Sequence, residues 1–141
     1  MVYATLADLI ERAGEDEIRQ VADRDDDGAP DSDVIAAAFE TAGNTIDGYL
    51  GVRFQLPLTV VPANVRGWAV AIARYHLHRD GAPDYVVRDY KDALTALQQA
   101  ARGLQALPGL DGIAPAQSST GTIRVDGPAP VFSAEKLEGW L

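Results

Sequence analysis

The sequence predicts an all-α protein: a small helical domain of about four to five helices, followed by an extended C-terminal arm with at most one short strand. Apolar residues recur at i, i+3, i+4 and i+7 in stretches bounded by capping residues, glycine or proline. This helical period disappears after residue 106, where glycine and proline punctuate the chain. With 141 residues, 47% of them hydrophobic, the chain can bury one core. We therefore place a helical domain at 1–106 and the arm at 107–141.

Two short helices are predicted at the start of the chain. Thr5 is a suitable N-cap with Asp8 at the third helical position, close to a capping box, and Gly14 ends this first helix. The acids of residues 15–17 begin the second helix, where the N-terminal end favours negative charge. Its apolar side is supplied by Ile18, Val21 and Ala22.

Three longer helices follow. They are predicted from Asp31 or Ser32 to about Leu50, from Pro62 to about Arg79, and from Tyr85 to about Leu104. Pro57 and Pro62 keep Gly51–Val61 out of a helix, and Val52, Phe54 and Leu56 alternate there as in an extended segment. The predicted core face of the fourth helix, subject to a slight rotation, is Val65, Trp68, Ala69, Ile72 and His76. The predicted core face of the fifth is Val86 or Val87, Tyr90, Ala93, Leu94, Leu97 and Ala101.

The predicted arm ends in a cluster of large apolar residues. Residues 122–125 are the candidate strand, and residues 133–137 suggest a capped final turn. The apolar residues nearby are Phe132, Leu137, Trp140 and Leu141. Since exposed apolar clusters usually mark contacts, either the arm folds back on its own helices or these four residues form an interface with a neighbouring subunit.

The stretch DRDDDGAPDSDV, residues 23–34, begins like the calcium loop of a helix–loop–helix motif, D-x-D-x-D-G. Ligands in such loops come from positions 1, 3, 5, 7, 9 and 12. Position 12 is Val34 here, which cannot coordinate, so any affinity should be weak. The alternative is a solvated loop whose aspartates cap helices and form Asx turns. The candidate metal ligands are Asp23, Asp25, Asp27 and Asp31, with the carbonyl of Ala29.

Other chemistry finds little support in the sequence. His76 and His78 lie two residues apart on a helix and point to different faces, so they cannot chelate one metal together. The chain has no cysteine and no phosphate-binding glycine loop, and Ser118-Ser119-Thr120 lacks the setting of a catalytic nucleophile. The net charge of −9, without a basic cluster, argues against gripping DNA. No membrane span or signal peptide is expected, and we expect no enzyme.

Several blocks of the sequence resemble one family of small phage proteins. The blocks are YATLADLIERAGEDEIRQVADRDDDG at residues 3–28, IDGYLGVRFQLPL at 46–58, VPANVRGWAVAIARYHL at 61–77 and the closing FSAEKLEGWL at 132–141. They resemble the Mu-like phage head–tail connector, or head completion, proteins. The block at 46–58 is the most specific, while residues 107–120 show no family pattern.

The resemblance implies a structural role without catalysis. Such connectors bind beneath the portal protein as a ring, twelve-fold like the portal, and present a surface to a tail-side neck protein while DNA passes through. The protein would then be made in the bacterial host cytoplasm and reside in the virion neck. This role requires no cofactor, although weak binding of calcium is compatible with it. The competing hypothesis is a calcium-binding helix–loop–helix module built on the loop from Asp23 to Asp31.

Overall fold

The computed structural model describes residues 1–110, and within that range the protein consists of five α-helices and no strand. The helices are α1 (Leu6–Ala13), α2 (Glu15–Ala22), α3 (Ser32–Leu50), α4 (Ala63–Leu77) and α5 (Asp84–Ala101). The predicted all-α class is therefore confirmed. The predicted strand at 122–125 and the predicted turn at 133–137 lie outside the described residues.

The two short helices form a corner on the side of the longer ones. Thr5 caps α1 as predicted, because its backbone N–H donates to Asp8 Oδ2 at 2.8 Å and its hydroxyl accepts from the Asp8 N–H at 3.3 Å. Gly14, with φ of +89°, ends α1 and begins α2, a conformation that L side chains rarely adopt. The corner is thus fixed by one glycine and one capping box.

The three longer helices pack against one another and enclose the core. α3 packs on α4, α4 on α5 and α3 on α5, while α1 packs on α4 and α2 on α3. The large side chains that are fully buried come from all five helices and from the segment after α5. They are Leu9, Ile18, Ile46, Leu50, Val65, Ile72, Leu77, Val86, Leu97, Leu107 and Leu110.

The buried face of α4 is rotated relative to the prediction. Val70, Ala73 and Leu77 are buried, whereas Trp68 is half-buried and His76 is exposed. The cause is that α4 contacts both α3 and α5, so its buried stripe is wider than that of a helix packed against one neighbour. The slight rotation of the α4 core face that the sequence analysis allowed for is therefore present in the structure.

The segment between α3 and α4 is not helical, as predicted, but it forms turns and bends rather than an extended strand. Phe54 and Leu58 are buried there and Leu56 is half-buried, while Val52 is 72% exposed. The predicted extended strand would have placed Val52, Phe54 and Leu56 on one face. In the structure Phe54 and Leu56 face the core and Val52 does not.

The described chain continues past α5 without leaving the core. Leu107 and Leu110 are each 1% exposed and belong to the same apolar cluster as the helices. The side-chain amide of Asn64 donates to the Ala106 carbonyl at 3.2 Å, which holds this segment against the start of α4. The domain boundary at 106/107 stays a prediction, but these two leucines pack with the helical body.

A glycine in the middle of α3 accommodates the N-terminal segment. A Cβ at Gly43 would lie 1.8 Å from the Met1 carbonyl oxygen, so only glycine allows this approach. One turn further on, Asp47 accepts hydrogen bonds from the Tyr3 hydroxyl and from the Met1 amino group. The N-terminal segment is therefore anchored along α3.

Candidate functional site

The aspartate-rich loop joins α2 to α3 and reverses the chain. Asp23 follows the last residue of α2, and Asp31 directly precedes α3. The Asp31 N–H donates to the Ala22 carbonyl at 2.9 Å, which closes the loop at its base. The predicted helix–loop–helix arrangement is therefore present.

The structure brings all four predicted carboxylates together. One oxygen each from Asp23, Asp25, Asp27 and Asp31 lies within 4.8 Å of the others. Within residues 1–110 this is the one group of three or more histidine, aspartate or glutamate side chains so arranged. Carboxylate oxygens at this spacing are the donors that Ca²⁺ takes.

Backbone hydrogen bonds already account for the shape of this loop. Asp23 accepts from the N–H groups of Asp27 at 3.0 Å and Gly28 at 2.8 Å. Asp27 accepts from the Ala29 N–H at 2.9 Å, and Asp31 accepts from the Arg24 N–H at 2.8 Å. The bond between Asp27 and Ala29 is an Asx turn, whereas the bonds to Asp23 and Asp31 connect residues four to seven positions apart. Backbone N–H groups of the loop therefore already serve as hydrogen-bond partners of these carboxylates.

The clustered charges change how the loop titrates. The pKa of Asp25 is raised to about 6 because its carboxyl group hydrogen-bonds to Asp23, is partly desolvated, and lies near the negative charges of Asp27 and Asp31. Desolvation opposes ionisation of Asp23 as well, but the N–H groups of Gly28 and Asp27 outweigh it and lower the pKa of Asp23. Of these two residues, Asp25 is therefore the one that holds a proton more readily.

The last ligand position of the loop does not contribute an oxygen. Val34 lies in the first turn of α3, and its side chain packs against the apolar core. A bidentate acid at this position normally completes a calcium loop. The geometry therefore permits an incomplete cation site, and it accounts equally well for a loop held by its own hydrogen bonds, in which Asp31 bonds to the loop backbone instead of capping α3.

The two histidines are placed apart, as their spacing predicts. The ring of His76 makes edge contacts with Tyr75 and Tyr90, at centroid distances of 5.4 and 5.8 Å. His78 Nε2 instead lies 3.3 Å from Glu17 Oε2 on α2. Neither arrangement resembles a shared metal site.

Sequence reasoning missed a buried charged pair that joins α2 to α4. Arg74, only 7% exposed, donates from Nε to Glu17 Oε2 at 2.6 Å and from Nη2 to Glu17 Oε1 at 2.7 Å. The Arg74 guanidinium also lies 5.3 Å from the centre of the Tyr85 ring. An arginine within the apolar stripe of α4 was the available signal, but its partner, 57 residues away, leaves no trace in a local pattern. This pair ties the short helices to the longer ones.

A shallow groove of about 590 Å³ lies where α1, α4 and α5 meet. Small residues of α4 line it, together with acidic side chains of α1 and α5 and with the arginines Arg12 of α1 and Arg66 of α4. Arg12 donates to Asp89 at 3.2 Å, which joins α1 to α5 beside this groove. The mixture of paired charges and small residues does not form an arrangement of nucleophile and base.

Two further predictions concern an interface and a membrane span. The four predicted interface residues, Phe132, Leu137, Trp140 and Leu141, lie outside the described residues. Within the described range, no helix has both the length and the apolar character needed to cross a membrane.

The chain is similar to known phage proteins along its whole length. The family model described as "Bacteriophage Mu, Gp36" matches residues 3–125. The "Mu-like prophage FluMu protein gp36" of Haemophilus influenzae is 33% identical over 141 residues, which cover 100% of this chain and 99% of that protein. "Gene product J" of Escherichia phage Mu is 32% identical over 143 aligned positions, covering 100% of both chains.

Proposed function

The chain belongs to the bacteriophage Mu Gp36 family, and from this premise we propose that it is a head–tail connector, or head completion, protein of a Mu-like phage or prophage. In this proposal it docks as a ring on the portal of a DNA-filled head and presents the surface to which a tail-side neck protein attaches. Its site of action is the virion neck, and it performs no catalysis. The observation that carries the proposal is the end-to-end similarity to phage Mu relatives, which includes the block at residues 46–58.

The charge of the protein fits a passage for DNA. The chain carries 21 acids against 12 bases, a net charge of −9. A protein that holds DNA neutralises phosphates with lysine and arginine, and a surplus of acids instead repels the duplex. A ring of such subunits can therefore surround DNA and let it move.

The division of the chain into a body and a C-terminal segment fits a ring as well. Head-to-tail rings need two different complementary patches on each subunit, since the same patch never meets itself. The helical body offers one kind of surface, and the apolar residues of the last ten positions offer another. The ring on the portal would follow the portal's twelve-fold symmetry, while the acidic subunits alone would repel one another and remain monomeric or weakly associated.

The decisive experiment removes the gene from the phage and supplies it from a plasmid. Without the protein, we expect DNA-filled heads and free tails that do not join, as seen by electron microscopy. Complementation with the full chain should restore virions, whereas a chain truncated after Gly127 should fold but fail to restore them. Heads that never fill with DNA, or complete virions without the protein, would contradict the proposal.

A second measurement examines assembly directly. Light scattering of the purified protein should report a monomer or weak oligomer, and addition of portal should produce one stable ring per portal. A chelator should leave this assembly unchanged, because the role does not depend on a cation. A stable dimer that ignores the portal, or assembly that requires calcium, would argue for a different class of protein.

A further inference from the structure

The two most exposed large apolar side chains of the described residues lie at one end of the helical body, and a third exposed valine lies near them. Val52, just after α3, is 72% exposed, and Leu104, just after α5, is 71% exposed. Val60, in the segment leading to α4, is 49% exposed. Each of the three follows or precedes a long helix at the end where α3 and α5 finish and α4 begins.

Contacts between the segments show that these residues share one surface. A Cβ at Gly103 would lie 2.8 Å from the Arg53 guanidinium carbon, so the segments after α3 and after α5 touch. A Cβ at Gly109 would lie 3.6 Å from Val60 Cγ1, which brings the third segment to the same place. Beside them is a cleft of about 240 Å³ lined by residues 54–59 and Leu110. We call Val52, Arg53, Val60, Arg102, Leu104 and this cleft the end surface.

The end surface differs in charge from the rest of an acidic protein. Residues 48–62 and 93–110 supply its segments and contain no aspartate or glutamate. Their only charged residues are Arg53 and Arg102. The 21 acids of the chain therefore all lie in other parts of the sequence. Arg102 is exposed, so a partner for this surface should combine apolar side chains with negative charge that meets this arginine.

The last ten residues of the chain have this composition. FSAEKLEGWL contains Phe132, Leu137, Trp140 and Leu141 together with Glu135 and Glu138, against a single lysine. We propose that the end surface is the docking site for residues 132–141 of a second copy of this chain. The inference rests on the proposed function, because a head-to-tail ring needs two unlike patches, and it identifies them.

The intervening chain is long enough for the contact. Residues 111–131 number 21, and a chain of that length spans at most about 70 Å when extended. That reach exceeds the length of α3, whose 19 residues span about 28 Å. The segment can therefore cross one subunit and reach the next.

Cysteine cross-linking in the full-length protein tests the proposal, since the chain has no cysteine of its own. Gln55→Cys marks the cleft, and Gly139→Cys marks the segment without removing an apolar anchor. A short bifunctional maleimide should link a mixture of the two single variants into two-chain products. The double variant should give a ladder of multimers, because each copy carries both halves of the contact.

The controls separate docking from random collision. Ala36→Cys, exposed near the start of α3, lies roughly 20 Å away along that helix and should link to Gly139→Cys at least tenfold less. Leu104→Asp changes an exposed side chain, so the fold should persist by circular dichroism while the cross-link falls at least tenfold. Equal yields at positions 36 and 55, no cross-link, or only an internal link within one chain would overturn the proposal.

This test and that of the proposed function fail separately. A ladder that depends on Leu104, from a protein that neither binds portal nor restores virions, would leave the docking inference standing and remove the connector role. Restored virions without any cross-link between positions 55 and 139 would support the connector role and overturn the docking inference.

Discussion

Arg74 and Glu17 form a two-point ion pair between α4 and α2, with nitrogen–oxygen distances of 2.6 and 2.7 Å. The pair is largely shielded from water, because the side chains are 8% and 17% exposed. Such forked pairs fix geometry as well as charge, since two nitrogens of the guanidinium meet the two oxygens of the carboxylate. The pair sets how the short helices sit on the long ones.

Removing one partner should therefore destabilise the fold more than removing an exposed pair. Glu17→Ala should lower the free energy of unfolding by about 3 kcal/mol, because it leaves a buried guanidinium without its carboxylate. The matched control is Asp16→Ala, which removes the exposed pair with Arg19 and should cost less than about 0.5 kcal/mol. Urea denaturation of both variants measures the difference, and equal losses would contradict the structural role of Glu17.

The same pair predicts a dependence on acid. Arg74 lowers the pKa of Glu17 from its ordinary value of 4.5, with His78 adding to the effect. A lowered pKa means that the stabilisation is present above the unfolded value and is lost as the pH falls through the folded value. The free energy of unfolding should thus decrease below about pH 4.5, and Glu17→Gln should flatten this part of the curve. An unchanged slope in the Gln variant would assign the acid sensitivity to other carboxyl groups.

The aspartate loop should change the free energy of unfolding with pH in the opposite direction. Because the pKa of Asp25 is raised to about 6, its contribution to stability is present below its ordinary value of 3.8 and is lost as the pH rises through 6. Carbon-detected NMR should find Asp25 titrating near 6, and Asp27→Asn should lower that pKa by removing a nearby negative charge. Titration of Asp25 near 3.8 in the unmodified protein would show that the carboxylates lie farther apart in solution.

Calcium should bind this loop weakly. The missing oxygen at Val34 leads us to expect a dissociation constant at or above roughly 10⁻⁴ M, the weak end of such loops. Asp25→Ala combined with Asp27→Ala should abolish the heat of binding yet cost little stability without calcium, since the change also relieves repulsion. Titration calorimetry decides the matter. Submicromolar affinity would instead favour the calcium-binding module.

The segment after α5 offers a matched pair of leucines. Leu107 is 1% exposed and Leu104 is 71% exposed, only three residues apart. Leu107→Ala should lower the free energy of unfolding by about 2–5 kcal/mol through the lost burial and the cavity left behind. Leu104→Ala should change it by less than about 0.5 kcal/mol. Thermal melts of the two variants compare them, and similar melting temperatures would mean that residues 107–110 do not belong to the body.

The helices could be predicted from the sequence because their ends are marked locally. Thr5, Gly14 and Gly51 act within one turn of the helix they bound, and the apolar stripe of α3 repeats often enough to identify its face. The rotation of α4 could not be fixed in this way, because it depends on having two packing neighbours. The pairing of Glu17 with Arg74 likewise depends on tertiary contacts between distant residues.

The aspartate loop could be predicted from the sequence, but the end surface could not. The four aspartates were found by spacing alone, since a short loop brings residues two apart to one side. The end surface was not, because Val52, Val60 and Leu104 come from three separate segments and each by itself is an ordinary exposed residue. In the structure those segments meet at Gly103, where an added Cβ would contact Arg53, and at Gly109, where an added Cβ would contact Val60.

The placement of the aspartate loop and the end surface makes the subunit an electric dipole. α3 begins beside the crowded carboxylates and ends, about 28 Å away, beside the two arginines. At physiological ionic strength the Debye length is about 8 Å, so the two ends act independently and neighbours sense each other only on contact. Near 0.01 M salt it grows to about 30 Å, comparable with the whole body. In dilute buffer, both the repulsion between the net-negative subunits and the preference for placing the acidic end toward the arginine end should therefore act before any side chains meet.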